Sequence, residues 1–233
     1  MTSPVAPSRI YVVGMWRVIG IDIAAGALLV AAWYVIFRYC NRKRGAQILQ
    51  WIERAFDGHG GIDGVEWLSA SRMQVRMRLM ECGFDQLSIL VRLRPRETPL
   101  QWMLARLKKR RETLTFQGDL PCPPNFNLDV HNHRWCGRTR RKLTPGKDWS
   151  LSRVGPFVLT SRPDWQRDIK TMMDAIAASR DCNFMQVKFR RASPHFTAMV
   201  PLAAVMPESN DSAEVGIVDA LKDLAAGASA SRF

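Results

Sequence analysis

The sequence predicts an α+β domain behind one N-terminal transmembrane helix, with a mixed or antiparallel sheet and helices packed on one face. Three observations carry that expectation. One long apolar run lies near the N-terminus, several short segments alternate apolar and polar residues with period two, and helical patterns separate them. Of the 233 residues, 47% are hydrophobic, and the mean hydropathy is −0.15. These values exclude both a disordered chain and a multi-span membrane protein.

Val18 to Phe37 reads VIGIDIAAGALLVAAWYVIF, twenty positions with Asp22 as their one charge. An α-helix needs about 20 such residues to cross a hydrocarbon core of ~30 Å. The run extends back to Ile10 if the Arg17 side chain reaches toward the headgroups. Trp16 at one end and Trp33, Tyr34 and Tyr39 at the other suit the aromatic belts of a bilayer. A cleaved signal peptide fits badly, because Ala24–Ala27 sit inside the apolar run rather than after it. Arg38, Arg42, Lys43 and Arg44 follow the run, whereas Arg9 and Arg17 precede it. The positive-inside rule then puts the N-terminus outside and the C-terminal domain in the cytoplasm. Asp22 is costly in lipid unless it meets a partner or the interface. With Gly20 and Gly26 it forms the candidate helix–helix contact. The expected organisation is an anchor over residues 1–44, a basic α+β domain over 45–224 and a loose tail over 225–233.

The domain is expected to begin with a short helix over Gln47–Phe56, closed by the glycine-rich Gly58–Gly64 acting as a hinge. Two strands of period two follow. Met73, Val75, Met77 and Leu79 share one face of the first, and Leu87, Ile89, Val91 and Leu93 share one face of the second. Cys82–Asp85 supplies the turn between them. Thr98 and Pro99 read as N-cap and first residue of a helix with the apolar stripe Leu100, Met103, Leu104 and Leu107. Its other side and last turn hold Arg106 and Lys108–Arg111, where cations suit the helix dipole. Further strands are expected at Thr113–Gln117, Asn127–Trp135 and Phe157–Thr160. A helix over Asp164–Ser179 would turn Trp165, Ile169, Met172, Met173 and Ile176 inward. Phe184–Arg190 and His195–Pro201 read as a hairpin turning at Ala192–Pro194, and a last short helix at Ala213–Leu224. No internal repeat is visible.

The net charge of +13 is unevenly spread: residues 1–59 carry +4, residues 60–160 carry +9 and residues 161–233 carry none. Arg72, Arg76, Arg78, Arg92 and Arg94 would project from the polar face of the first hairpin. Lys188 and Arg190 extend that face if their strand joins the same sheet. Such a face attracts phosphate-bearing surfaces, and anionic lipid lies nearest. RNA is the weaker expectation, since the face carries no stacking aromatics.

Sites of chemistry are sparse. Cys122, His131, His133 and Cys136 are the best metal candidates, but their spacing matches no standard zinc module. Ser193 with His195, and Asp129 with His131, lack the context of a nucleophile site. Gly58–Gly64 lacks the lysine of a phosphate loop. No cofactor is expected. Five widely spaced cysteines, Cys40, Cys82, Cys122, Cys136 and Cys182, agree with a reducing compartment. Pro121–Trp135 is rich in proline, asparagine and histidine and reads as a shaped loop, for a partner or over a sheet edge.

The expected role is therefore a non-enzymatic binding or scaffold module, or an accessory subunit of a membrane complex. Its partners would be anionic lipid, an acidic protein or other membrane proteins. The alternatives are a membrane-bound enzyme built on the Cys122–Cys136 region and an RNA- or ribosome-facing factor.

Overall fold

The computed structural model describes residues 9–80, 83–95, 98–132, 150–154, 157–161, 172, 175–176, 179–206 and 216–230, with side chains of the first helix from Arg17 onward. Helix α1 (Arg9–Ala55) runs for 47 residues without a break, about 70 Å at 1.5 Å per residue. Between Phe37 and Gln47 the chain has no proline and one glycine, so nothing ends the helix there. The helix expected at Gln47–Phe56 is consequently the last part of α1. Its two halves face different surroundings. From Val18 to Ile36 every residue is exposed except Trp33, which is half-buried. This half is long and apolar enough to cross a membrane, with a window of mean hydropathy 2.0 and none of it buried. In the second half Ile48, Trp51, Ile52 and Phe56 form one buried stripe.

Nine strands make one sheet: β1 (Gly60–Ser69), β2 (Arg72–Leu79), β3 (Gln86–Arg92), β4 (Thr113–Asp119), β5 (Leu128–Asn132), β6 (Ser150–Val154), β7 (Phe157–Ser161), β8 (Gln186–Phe189) and β9 (Phe196–Pro201). Their order is β1-β2-β3-β4-β9-β8-β5-β7-β6. Every neighbouring pair is antiparallel, so the sheet is not mixed.

Register builds the core. Val75 faces Ile89, Ile89 faces Phe116, Phe116 faces Ala198, Ala198 faces Val187, Val187 faces Val130, and Val130 faces Leu159. One apolar row thus crosses seven strands, and a one-residue slip anywhere would turn a strand's apolar set to the other face. Helices α2 (Pro99–Leu107), α3 (Leu202–Val205) and α4 (Ile217–Ala230) and a 3-10 turn at Ser179–Cys182 accompany the sheet. The α1 stripe and Val218, Leu221, Leu224 and Ala228 of α4 join this row in a single core. At about 25 cal/mol per Å² of apolar surface, such burial is the main force holding the domain on α1.

Three expectations change. Gly60–Gly64 belongs to a strand, not to a hinge; β1 is an edge strand whose residues are all exposed or half-buried, so it shows no apolar alternation. β6 is an additional strand. Helix α4 continues to Ala230 with Ala225 and Ala228 buried, so the segment expected as a loose tail is helical that far. Of the expected helix at Asp164–Ser179, Met172 and Ile176 are buried in the core, and most of the rest lies outside the described residues.

The join between α1 and the sheet gives the sheet two distinct ends. Asn41 is buried and donates through Nδ2 to the Ala70 carbonyl, in the turn between β1 and β2, at 3.1 Å. Beside it, the Arg42 guanidinium lies 4.1 Å from the Trp67 ring centroid. A Cβ on Gly45 would come within 2.7 Å of the same ring, so that position needs glycine for close approach. At the other end of α1, Met80 N donates to the His59 carbonyl at 2.9 Å. The near end of the sheet, where the apolar half of α1 departs, is the row Ser69, Arg72, Arg92, Thr113 and Pro201. The far end lies a strand's length away, about 20 Å.

Candidate functional site

Alternation places Arg72, Arg76, Arg78 and Arg92 on the face of the sheet opposite the core, and β8 adds Lys188 to it. The expected basic face therefore exists, but the structure divides it. Toward the far end its arginines are paired. Arg76 bonds Glu66 at 3.3 Å and Arg78 bonds Asp63 at 2.6 Å, both acids coming from β1. Arg190 donates through Nη2 to both carboxylate oxygens of Asp129 at 3.1 Å. Lys188 lies directly opposite Asp129 in the register.

Three cations toward the near end differ. Arg72, Arg92 and Arg94 make no ion pair among the described residues. Arg72 and Arg92 sit directly opposite each other on β2 and β3, an arrangement that costs stability unless an anion lies between them.

Helix α2 adds the rest. Thr98 Oγ1 caps it by accepting from Gln101 N at 3.2 Å, and Pro99 presets its first turn. It ends in a Schellman turn: Lys109 N donates to Arg106 O at 3.1 Å and Arg110 N to Ala105 O at 3.0 Å. Lys109 takes the left-handed position of that turn, φ 46°, where glycine is the default. A lysine there costs roughly 1 kcal/mol relative to glycine, and it keeps a cation in place. Beside this turn lies a cleft of about 470 Å³ lined by Arg94, Trp102, Ala105, Arg106, Lys109, Arg110 and Arg111. The Arg106 guanidinium lies 5.7 Å from the Trp102 ring centroid. A second cleft, about 440 Å³, joins Arg72 to Lys108, Arg110 and the hydroxyls of Ser69 and Ser71. Trp102 itself meets Trp33 of α1 edge-on, with ring centroids 6.0 Å apart. A cleft rich in positive charge is thus attached, through Trp102, to the apolar half of α1. Chemically, five cations and an indole around one cleft suit a phosphate or sulfate ester with an apolar body.

Arg94 is the one expected contact residue that lines this cleft. Lys109, Arg110 and Arg111 were visible as the charged end of a helix, but their convergence with Arg94 depends on how α2 folds back onto the sheet. Gly20, Asp22 and Gly26 all lie on the exposed half of α1. At about 100° per residue, Asp22 and Gly26 share a face and Gly20 lies on another.

Of the metal candidates, His133 and Cys136 fall outside the described residues. Among the described residues no three His, Cys, Asp or Glu side chains come together to hold a metal. His131 lies 3.3 Å from Gln186 Nε2, and burial pushes its pKa below the usual value of 6.5. Asp129 opposes that shift and Lys188 adds to it. Ser193 Oγ donates to Asp119 at 3.0 Å, while His195 Nδ1 accepts from Leu120 N at 3.2 Å. These bonds hold the β8–β9 turn. In Pro121–Trp135, Phe126 is buried against Phe189, and Arg191 ties down Asn125 and Asn127. That part of the loop packs inward and covers the far end.

Fold and site together define an antiparallel α+β domain carried on an apolar helix, with a basic cleft at their junction. No protein-family model matches the chain, and no curated protein matches it.

Proposed function

We propose that the chain is a single-pass membrane protein whose cytoplasmic domain is a non-enzymatic binding module for anionic lipid headgroups. The observation that carries this reading is the placement of Arg72, Arg92, Arg94, Lys109 and Arg110, which make no ion pair among the described residues, at the base of the apolar helix. Each cation close to an anionic leaflet contributes about 1 kcal/mol, and this contribution fades within a Debye length of about 8 Å in physiological salt. Cations at the near end lie within that reach of the headgroups, and those about 20 Å away do not. The cytoplasmic placement follows from Arg38, Arg42, Lys43 and Arg44 flanking the run on that side. The cleft recognises phosphate esters, and α1 sets which surface supplies them.

Two measurements test the reading on the full chain. A C-terminal tag should be digested by protease only when the cytoplasmic side of the membrane is open. In nanodiscs of mixed phosphatidylcholine and phosphatidylglycerol, the chain should retain phosphatidylglycerol selectively on delipidation, and lose that selectivity as salt rises. Equal retention of the two lipids would overturn the headgroup assignment. A tag protected on the cytoplasmic side would overturn the orientation.

A further inference from the structure

Helix α2 carries its apolar stripe on the outside. Leu100, Met103, Leu104 and Leu107 share one face at i, i+3, i+4 and i+7, and they are 62, 50, 41 and 68% exposed. The opposite face, with Ala105 buried and Trp102 half-buried, is the one that meets the protein. A surface helix of a water-surrounded domain is built the other way round, apolar side inward. Position supplies a second observation. Trp102 rests against Trp33, four residues before the end of the apolar run at Phe37, so α2 is held at the level where that run ends. The charged C-terminal turn, Lys108–Arg111, is a third. An exposed apolar stripe, a tryptophan and flanking cations are the parts of a helix that lies in the plane of a bilayer interface.

We propose that α2 is an interfacial helix, seated at the boundary of headgroups and acyl chains of an anionic leaflet. Its leucines enter the chains, and its cations and the cleft beside them meet the phosphates. The inference rests on the reading of α1 as a membrane anchor. Leu68 of β1, 51% exposed, lines the second cleft together with Leu104 and adds exposed apolar surface at this end. A second copy of the chain fits this surface poorly. Each copy brings the same excess of cations beside the stripe and so offers the other no compensating charge, whereas an anionic leaflet neutralises them.

Photo-crosslinking of the full chain in phosphatidylglycerol-containing nanodiscs tests the assignment. Leu107→p-benzoylphenylalanine probes the stripe, Leu29→p-benzoylphenylalanine the apolar half of α1, and Met80→p-benzoylphenylalanine the far end. All three positions are at least 68% exposed, so the label perturbs no packing. The expected result is a mass increase of one lipid at Leu107 and at Leu29, and none at Met80. Lipid at Leu29 without lipid at Leu107 sinks the interfacial helix and leaves the anchor standing. Lipid at neither sinks the anchor. A protein–protein adduct at Leu107 would make α2 a surface between copies, and equal labelling of Leu107 and Met80 would mean that the whole domain lies on the bilayer; either result overturns the proposal. Leu100→p-benzoylphenylalanine serves as the second stripe variant.

Discussion

The two ends of one sheet face treat arginine differently. At the far end three guanidinium groups have a carboxylate: Arg76 with Glu66, Arg78 with Asp63, Arg190 with Asp129. At the near end Arg72 and Arg92 face each other, and Arg94, Lys109 and Arg110 converge on one cleft with no acid to pair them among the described residues. Residue type alone does not separate the two groups, since both are arginines on alternating strand positions. What differs is the neighbour that the fold supplies. The far end is electrostatically finished by the chain itself, whereas the near end is left for a partner beside α1.

Charge reversal should break that contrast most strongly. Arg92→Glu, Arg94→Glu, Lys109→Glu and Arg110→Glu together are expected to lower selectivity for anionic lipid by one to three orders of magnitude, at about 1 kcal/mol per cation before screening. Native mass spectrometry of retained lipid would read this. Asp63→Asn, Glu66→Gln and Asp129→Asn free the far arginines and should leave retention unchanged. A gain in retention there would show that total charge, not position, governs the interaction.

The junction between α1 and the sheet comes next. Gly45→Ala places a methyl group 2.7 Å from the Trp67 ring and should cost about 1–3 kcal/mol. A lowered Tm in detergent, with lipid selectivity weakened in parallel, would show that the rigid join positions the near end. Unchanged stability would mean that Trp67 moves aside freely.

Lys109→Gly separates stability from binding. Glycine relieves the left-handed strain and should stabilise by roughly 0.5–1 kcal/mol, while removal of one cation lowers lipid selectivity about fivefold. If both quantities fall together, the lysine is structural.

The smallest effect is expected at His131. Its pKa is lowered in the fold, chiefly by burial, so the native state favours the neutral ring. That stability is fully present above the unfolded value of about 6.5 and is lost progressively as pH falls below it toward the folded value. Denaturant titrations at stepped pH should show the loss, and His131→Gln should flatten it.

Much of the fold was legible because burial imposes a period. The strands β2 and β3, the cap and stripe of α2 and the β8–β9 hairpin all announce themselves by spacing. β1 did not, because an edge strand exposes both faces and its glycines imitate a hinge. That omission also hid the site's logic. Asp63 and Glu66 lie on β1, so the pairing of Arg76 and Arg78 was invisible without it, and all seven cations looked equivalent. Trp33 was visible as an interfacial residue, whereas nothing in the spacing singled out Trp102. Their contact joins positions 69 residues apart and depends on how α2 folds back along α1.

Hydrogen exchange of the full chain, compared between phosphatidylglycerol and phosphatidylcholine nanodiscs, separates the two ends of the sheet. Exchange should slow in the anionic lipid over residues 98–111 and the turn at 69–72, with no change over 59–64 or 186–191. Equal protection at both ends, or protection confined to the far end, would contradict that separation.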